Sequence, residues 1–387
     1  MKILFCCHYS KIQNYFCDIS QHLAGHESDV INLTRVENSA RLAKLRGDIP
    51  WQSLWQIAHL IESGRRARRG TRSLRRYLQW LPVSAFRQSV KLYSAYSGVI
   101  REKSPDAVCV WGAKYRAALL ALAARTQQVP VVYLENGALP CTTAVDLQGI
   151  NACNSLPRDA AFYRALAAPA TRETGVPLEV RKAVPGKHGQ DAGLATLPAR
   201  YIFAPFQDDS DTQILLQSPW IKDMRQFFSL LVRVYKQLND PQLHLIFKEH
   251  PSATSEYPDL HRKAGREPRI HIVNNYLTQE LIEHAESVVT INSSVGIESL
   301  LFDRPVIVTG RAFYNIPGLV TKADSEAGLL QALKSVNTFA TDQVLRRNFL
   351  HYLDSEYLVP GKKFSRDELH LQAMAGRISA LLAAQPA

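Results

Sequence analysis

Residues 287–310 read SVVTINSSVGIESLLFDRPVIVTG. The segment SVVTINSS (287–294) opens as a short apolar, β-branched run, which predicts a buried strand; VGIESLLF (295–302) has helical spacing, and PVIVTG (305–310) predicts a second buried strand. Strand, helix and strand in so short a span make a βαβ unit, whose strands run parallel with helices covering the faces. The same alternation extends upstream through RYIFAPFQ (200–207), a helix over 219–239, LHLIFKEHP (243–251), RIHIVNN (269–275) and a helix near 278–285. An earlier set begins at KILFCC (2–7) and DVINL (29–33), then continues with DAVCVWG (106–112), a helix over 114–127 and VPVVYLENG (129–137). Between the sets, 165–199 is rich in Ala, Pro and Gly and weakly periodic, which marks a linker.

The expected fold is therefore α/β, with two Rossmann-like domains whose strand carboxyl ends face a central cleft, where open α/β sheets bind ligands. The boundaries read as 1–197, carrying a basic helical insertion over about 40–105, then 198–360. A final amphipathic helix within 361–387 is placed to cross back. A chain of 387 residues with 46% hydrophobic and 21% charged content is an ordinary globular protein, neither fibrous nor largely disordered. It has no run approaching the ~18 apolar residues of a membrane span, and MKILFCCHYS reads as a first strand, not a secretory leader. Cys6, Cys7, Cys17, Cys109, Cys141 and Cys153 show no zinc spacing, and an adjacent pair makes an improbable disulfide. Reduced, mostly buried thiols in a cytoplasm are expected.

The formal charge of +11 is concentrated: residues 35–125 hold 18 Lys/Arg against 5 acids. At its centre GRRARRGTRSLRR places Arg65, Arg66, Arg68, Arg69, Arg72, Arg75 and Arg76 within twelve residues. Such a run suits an anionic partner or a solvated helix face. No nucleic-acid signature accompanies it, whereas Trp51, Trp55, Tyr77 and Trp80 flank it, which favours an anionic membrane surface over nucleic acid.

Four polar clusters close predicted strands. Glu135, with Gly137 two residues on, comes just after VPVVY. Gln207, Asp208, Asp209 and Asp211 end the first strand of the second domain; Asp209-Ser210-Asp211 permits a divalent metal, but a single carboxylate serves equally as nucleophile or base. Lys248-Glu249-His250-Pro251 offers an imidazole to a phosphate or a leaving oxygen. Asn292-Ser293-Ser294-Val295-Gly296 precedes a helix, where Ser should cap the first turn and free N–H groups should face an anion. Together they describe a nucleotide-activated donor held by the second domain, with Glu135 facing it from the first. The sequence lacks GxGxxG and Walker A motifs, so dinucleotide and ATP sites are not expected.

These blocks resemble a known family. VVTINSSVGIESLLFDRPVIVTGRAFYNIPGLV, FAPFQDDSDTQI, IFKEHPS and LENGALPCTTAVDLQGINACNSLPRDAAFY are similar to signatures of bacterial capsule-polysaccharide synthesis proteins, which include retaining β-Kdo glycosyltransferases. The resemblance covers about 130–320. It implies the glycosyltransferase B architecture, a CMP-β-Kdo donor, no metal or other cofactor, and a glycan or glycolipid acceptor in capsule, lipopolysaccharide or O-antigen synthesis. It carries CMP contacts onto His250, Pro251, Ser293 and Ser294, with Gln207, Asn292 and Gly296 beside them. Asp211 becomes the nucleophile, with Asp209 and Asp146 as rival carboxylates, and Glu135 the base. Arg158 and Lys248 become ligands of the Kdo carboxylate or phosphate. Its setting would be cytoplasmic, at the inner membrane face. The alternatives are a nucleotide-sugar 2-epimerase or a CMP-sialic-acid-type transferase of the same architecture, and, outside catalysis, a polysaccharide- or lipid-binding partner of an export complex.

Overall fold

The computed structural model describes residues 1–39, 49–69, 82–167, 178, 194–253, 255–336 and 341–384. In chain order its elements are β1 (Lys2–Cys7), α1 (Ser10–Ser20), β2 (Glu27–Asn32), α2 (Leu33–Ser39), α3 (Trp51–Arg69), α4 (Val83–Lys103), β3 (Ala107–Trp111), α5 (Tyr115–Arg125), β4 (Val131–Asn136) and β5 (Thr142–Asp146). There follow α6 (Ala160–Arg164), β6 (Tyr201–Pro205), α7 (Thr212–Gln217), α8 (Met224–Leu238), β7 (His244–Lys248), α9 (Pro258–Ala264), β8 (Ile270–Ile272), α10 (Thr278–Glu283) and β9 (Ser287–Thr290). The chain closes with α11 (Val295–Leu301), β10 (Val306–Val308), β11 (Thr321–Lys322), α12 (Glu326–Lys334), α13 (Gln343–Tyr352), β12 (Leu358–Pro360) and α14 (Glu368–Ala383).

The second unit, Pro157–Leu353, contains a six-stranded sheet ordered β11-β10-β9-β6-β7-β8, all parallel. Counted along the chain this is the doubly wound order of a Rossmann fold, reversing between β6 and β9. Every residue of β6 and β9 is buried, as central parallel strands covered on both faces must be. Helix α8 shows why the sequence folds this way locally. Asp223 caps it by accepting from the Gln226 N–H at 2.7 Å, Asn239 ends it at φ 52, and its apolar stripe (Phe227, Leu230, Leu231, Val234) enters the core.

The first unit holds a second six-stranded sheet, ordered β12-β5-β4-β3-β1-β2. Strands β2, β1, β3 and β4 are parallel, while β5 runs antiparallel to β4 and β12 antiparallel to β5. The expectation of two Rossmann-like α/β units is met, with one mixed sheet instead of two wholly parallel ones. Two helices, α3 and α4, occupy the basic insertion. Arg65 ties them together, donating to Ser84 Oγ at 3.3 Å and Gln88 Oε1 at 2.7 Å. Arg66 is the last arginine of the run whose side chain is among those described; those of Arg68 and Arg69, and Arg72, Arg75 and Arg76 altogether, lie outside the described residues.

The division between units differs from the expected one. The first unit gives way at Leu156, not at 197, because α6 belongs with α13: Asn348 donates to the carbonyls of Tyr163 and Leu166 at 2.8 and 2.7 Å, and Arg164 pairs with Asp342 at 2.7 Å. Most of the expected linker, 168–177 and 179–193, lies outside the described residues. At the other end Asp354–Ala387 returns to the first unit, where α14 packs on α1, β5 and β12. None of the six cysteines forms a disulfide. Cys6, Cys7 and Cys109 are buried, but Cys141 and Cys153 are exposed, contrary to the expectation of mostly buried thiols. Among the described residues no helix is long and apolar enough to cross a membrane.

Candidate functional site

In the second unit, β6, β7 and β9 are neighbours, and Pro205 pairs in register with Lys248 while Phe203 pairs with Val288. Gln207, His250 and Asn292 thus each stand two residues past the same level of the sheet. That level is the carboxyl edge, and the β6/β9 gap is the switch point at which doubly wound sheets open a crevice.

Gln207 and Asn292 bridge that gap. Gln207 Nε2 donates to Asn292 Oδ1 at 2.9 Å, and its Oε1 accepts from the Asn292 N–H at 3.3 Å; both residues are buried. Asn292 Nδ2 continues to the carbonyls of Gln213 (3.0 Å) and Gln217 (3.3 Å), and Gln213 Nε2 returns to the Asn292 carbonyl at 3.3 Å. Buried amides of this kind are satisfied from within the protein and fix the loops they join. The network pins α7 to the end of β9, and Asp211 is the N-cap residue of α7.

The three aspartates after Gln207 have different surroundings. Asp208 accepts from the Ser210 N–H and hydroxyl, both at 2.9 Å. Asp209 is buried, with Oδ1 accepting from the Met224 N–H at 2.7 Å and Oδ2 from the Tyr257 hydroxyl at 2.9 Å; burial pushes its carboxyl above the usual range. Asp211 is exposed and caps α7, with Oδ1 accepting from the Gln213 N–H at 2.9 Å. No hydrogen bond among the described residues falls on its Oδ2. With Asp209 engaged on both oxygens, the Asp209-Ser210-Asp211 triplet offers one open carboxylate. Among the described residues no cluster of three His, Cys, Asp or Glu could hold a metal.

At the end of β7, His250 Nδ1 lies 3.3 Å from the Ser252 N–H and 3.1 Å from its hydroxyl. A ring nitrogen facing a backbone N–H must accept, so the neutral ring carries its proton on Nε2. Lys248 donates to the carbonyls of Asn274 (3.0 Å) and Tyr276 (2.6 Å), and Glu249 is buried against His261 Nε2 at 2.9 Å. Lys248 therefore secures the β7 and β8 ends to each other.

After β9, Ser293 is the residue that caps: its Oγ accepts from the Val295 N–H at 3.2 Å. Ser294 occupies the N-cap position without capping through its side chain, and its hydroxyl lies 3.4 Å from Glu298 Oε1. Gly296 is required by packing. A Cβ there would stand 2.3 Å from the Tyr314 hydroxyl, which is buried and donates to the Ser293 carbonyl at 2.5 Å. Tyr314, like Gln213 and Tyr257, escaped sequence reasoning because it is a lone residue in a loop or helix whose partners are remote in the chain. Pro251 follows His250 directly in the β7–α9 loop. Arg158 is half-buried just before α6, close enough to Tyr163 for its charge to oppose the burial that raises that phenol.

Glu135 and Asp146 belong to the first unit. Glu135 is the second-last residue of β4, accepts from the Asn136 N–H at 2.8 Å, and has Oε2 beside Gly112, the residue after β3. Gly137 needs no left-handed backbone; Thr142 approaches so closely across the hairpin that a Cβ would lie 1.9 Å from its Oγ1. Asp146 is buried and wholly engaged by the N–H groups of Gln148, Gly149 and Ser155 and the hydroxyls of Ser155 and Tyr357. It holds the β5 loop to the C-terminal segment.

The family model of capsule polysaccharide biosynthesis proteins matches residues 187–355, which contain this whole carboxyl edge and three of the four motif blocks. Protein FixF of Sinorhizobium fredii (strain NBRC 101917 / NGR234) is 38% identical over 234 residues, which cover 59% of this chain and 54% of FixF. The capsule polysaccharide export protein KpsS of Escherichia coli is 33% identical over 129 residues, covering 32% of this chain and 33% of KpsS. The chain thus spans about half, or less, of the curated relatives it matches. Among solved structures, the Thermosulfurimonas dismutans KpsC beta Kdo 2,7 transferase superposes with TM-score 0.41 at 18% identity, covering 73% of this chain and 89% of that one. A Methanocaldococcus jannaschii UDP-GlcNAc 2-epimerase also reaches 0.41, at 11% identity and 99% coverage of both chains.

Proposed function

We propose that this chain is a glycosyltransferase of surface-polysaccharide synthesis that moves Kdo from CMP-β-Kdo to a glycan or glycolipid acceptor with retention. The observation that supports it most is Asp211, an exposed carboxylate held by α7 at the switch point of a capsule-family segment. In a first step Asp211 Oδ2 attacks the anomeric carbon, the bond from that carbon to the phosphate oxygen breaks, and CMP departs as a phosphate monoester. His250, with its proton on Nε2, and the Ser294 hydroxyl are the donors that would stabilise the leaving charge. In the second step an acceptor hydroxyl displaces Asp211 and passes its proton to a carboxylate, the part the sequence gives to Glu135. Two inversions leave the β configuration. Gln207, Asn292 and Gly296 act in this scheme by holding the loops, and Lys248 by joining two strand ends. The Arg-rich stretch is assigned to an anionic membrane surface near the acceptor.

The test is incubation with CMP-Kdo in EDTA without acceptor, read by intact mass and peptide mapping. One Kdo mass on the 201–222 peptide is expected, absent in Asp211→Asn. An α-linked product from a complete reaction would overturn the mechanism. Loss of reaction restored by magnesium would return the aspartates to a metal role, and stabilisation by UDP but not CMP would favour the epimerase.

A further inference from the structure

The first sheet has its own switch point, between β1 and β3, because the chain passes from β1 to β2 on one side and to β3 on the other. Four ionisable side chains gather at that carboxyl edge. His8 directly follows β1, Glu37 stands on α2, Tyr96 on α4 and Arg116 in the first turn of α5. Glu37 is their hub. Its Oε1 accepts from the Tyr96 hydroxyl and lies 3.1 Å from His8 Nε2, while Arg116 Nε reaches both carboxylate oxygens at 3.0 and 3.1 Å. Tyr96 is buried, and His8 Nε2 lies 3.1 Å from its hydroxyl. Burial alone would raise the Glu37 carboxyl, but the bonds from His8 and Tyr96 and the charge of Arg116 outweigh it and hold the group below its usual range.

Arg116 is held at one end only. Its Nε is fixed on Glu37 and its Cζ lies 5.0 Å from the centre of the Tyr115 ring, yet among the described residues no hydrogen bond or ion pair falls on Nη1 or Nη2. A surface ion pair contributes little to stability, and needs neither a buried tyrosine nor a histidine to orient its acid. A guanidinium stiffened from behind and open at its fork is the arrangement that takes a carboxylate or phosphate bidentately. Its neighbours at the same edge agree in charge and chemistry: Lys11 in the first turn of α1 and Lys114 just before α5 are exposed, and Tyr9 between β1 and α1 is 63% exposed. An exposed aromatic face suits the apolar side of a pyranose ring.

We propose that this edge of the first unit is a binding site for an acidic glycan, whose oxyanion is taken by Nη1 and Nη2 of Arg116 while Glu37, Tyr96 and His8 position the guanidinium. The identification of that glycan as the acceptor rests on the transferase reading above; the site does not. The experiment uses the full chain without CMP-Kdo and measures binding of methyl β-glucuronide, glycerol 3-phosphate and methyl β-glucoside by calorimetry or saturation-transfer NMR. The glucuronide should bind, with the neutral glucoside and the Arg116→Gln variant each weaker by ~10–100-fold. Arg116→Lys keeps a charge opposite Glu37 but not the fork. It should melt near wild type and still lose about tenfold in affinity. Equal binding of glycerol 3-phosphate, lost in Arg116→Gln, supports the oxyanion site and makes the acceptor group a phosphate. Equal binding of the neutral glucoside, or undiminished glucuronide binding in both variants, overturns the proposal. The adduct on wild-type protein reports on transfer by itself, so its absence beside Arg116-dependent binding fails the transferase reading and leaves this site standing.

Discussion

Asparagine caps a helix about as well as aspartate, and this makes Asp209 and Asp211 of the β6 loop separable by experiment. Asp211→Asn keeps an oxygen for the Gln213 N–H, so its stability cost should be only a few tenths of a kcal/mol while the proposed nucleophile is lost. Asp209→Ala should do the reverse. It strands the Met224 N–H and the Tyr257 hydroxyl in the interior, at roughly 1–3 kcal/mol. A domain of this size loses about 2–4 °C of melting temperature per kcal/mol, so the difference is readable by calorimetry. A melting point of Asp209→Ala within a degree of wild type would mean that its two bonds are not holding α8 and the α9 region to the loop. The sequence shows two similar acids two residues apart. Burial, which only the fold supplies, makes one of them structural.

At the scale of elements, the parallel strands apart from the two-residue β11 were legible because each is a short apolar run closed by polar residues, and the helices between them are periodic. Strands β5 and β12 were not. TTAVD lies in a hairpin tightened at Gly137, and Leu358–Pro360 pairs with β5 across more than two hundred residues, so neither has a local signature. The carboxyl-edge clusters were legible in position but less so in role: Gln207 with Asn292, and Lys248 with Asn274 and Tyr276, are contacts between strands remote in the chain. Adjacent β7 and β8 carry another such contact. His244 Nδ1 lies 3.0 Å from His271 Nε2, and the rings stack. Burial first, then Arg269 for His244 and His244 for His271, push both below the ordinary imidazole value. Above about pH 6.5 both rings are neutral in either state and contribute no slope. As pH falls below that, the unfolded chain takes up protons first, so stability falls until the folded values are passed. His271→Gln should flatten the dependence of the urea midpoint on pH between about 7 and 5. An unchanged slope would mean that the pair does not titrate differently on folding.

On the scale of the whole molecule, the chain begins and ends in one unit. Helix α14 is a late amphipathic segment whose sequence shows a buried face without saying what covers it. The structure assigns that face to the first unit: Leu371, Met374, Ala375, Ile378 and Leu382 share a core with Ile3 and Phe5 of β1, Phe16 of α1 and Val145 of β5. A polar contact fastens the same helix. His370 donates from Nδ1 to the Pro360 carbonyl at 2.6 Å, so its Nε2 accepts from the Tyr15 hydroxyl, also at 2.6 Å. One helix thereby supplies its own control. Ile378 is fully buried and Leu369, on the same α14, is 76% exposed. Ile378→Ala should cost roughly 2–5 kcal/mol through lost transfer energy and a cavity, whereas Leu369→Ala should stay within about 0.5 kcal/mol. Calorimetry on both variants decides the matter. Equal melting points would place α14 outside the core and return the first unit to residues before 157, and a drop for Ile378→Ala alone makes α14 part of the unit that the first seven residues begin.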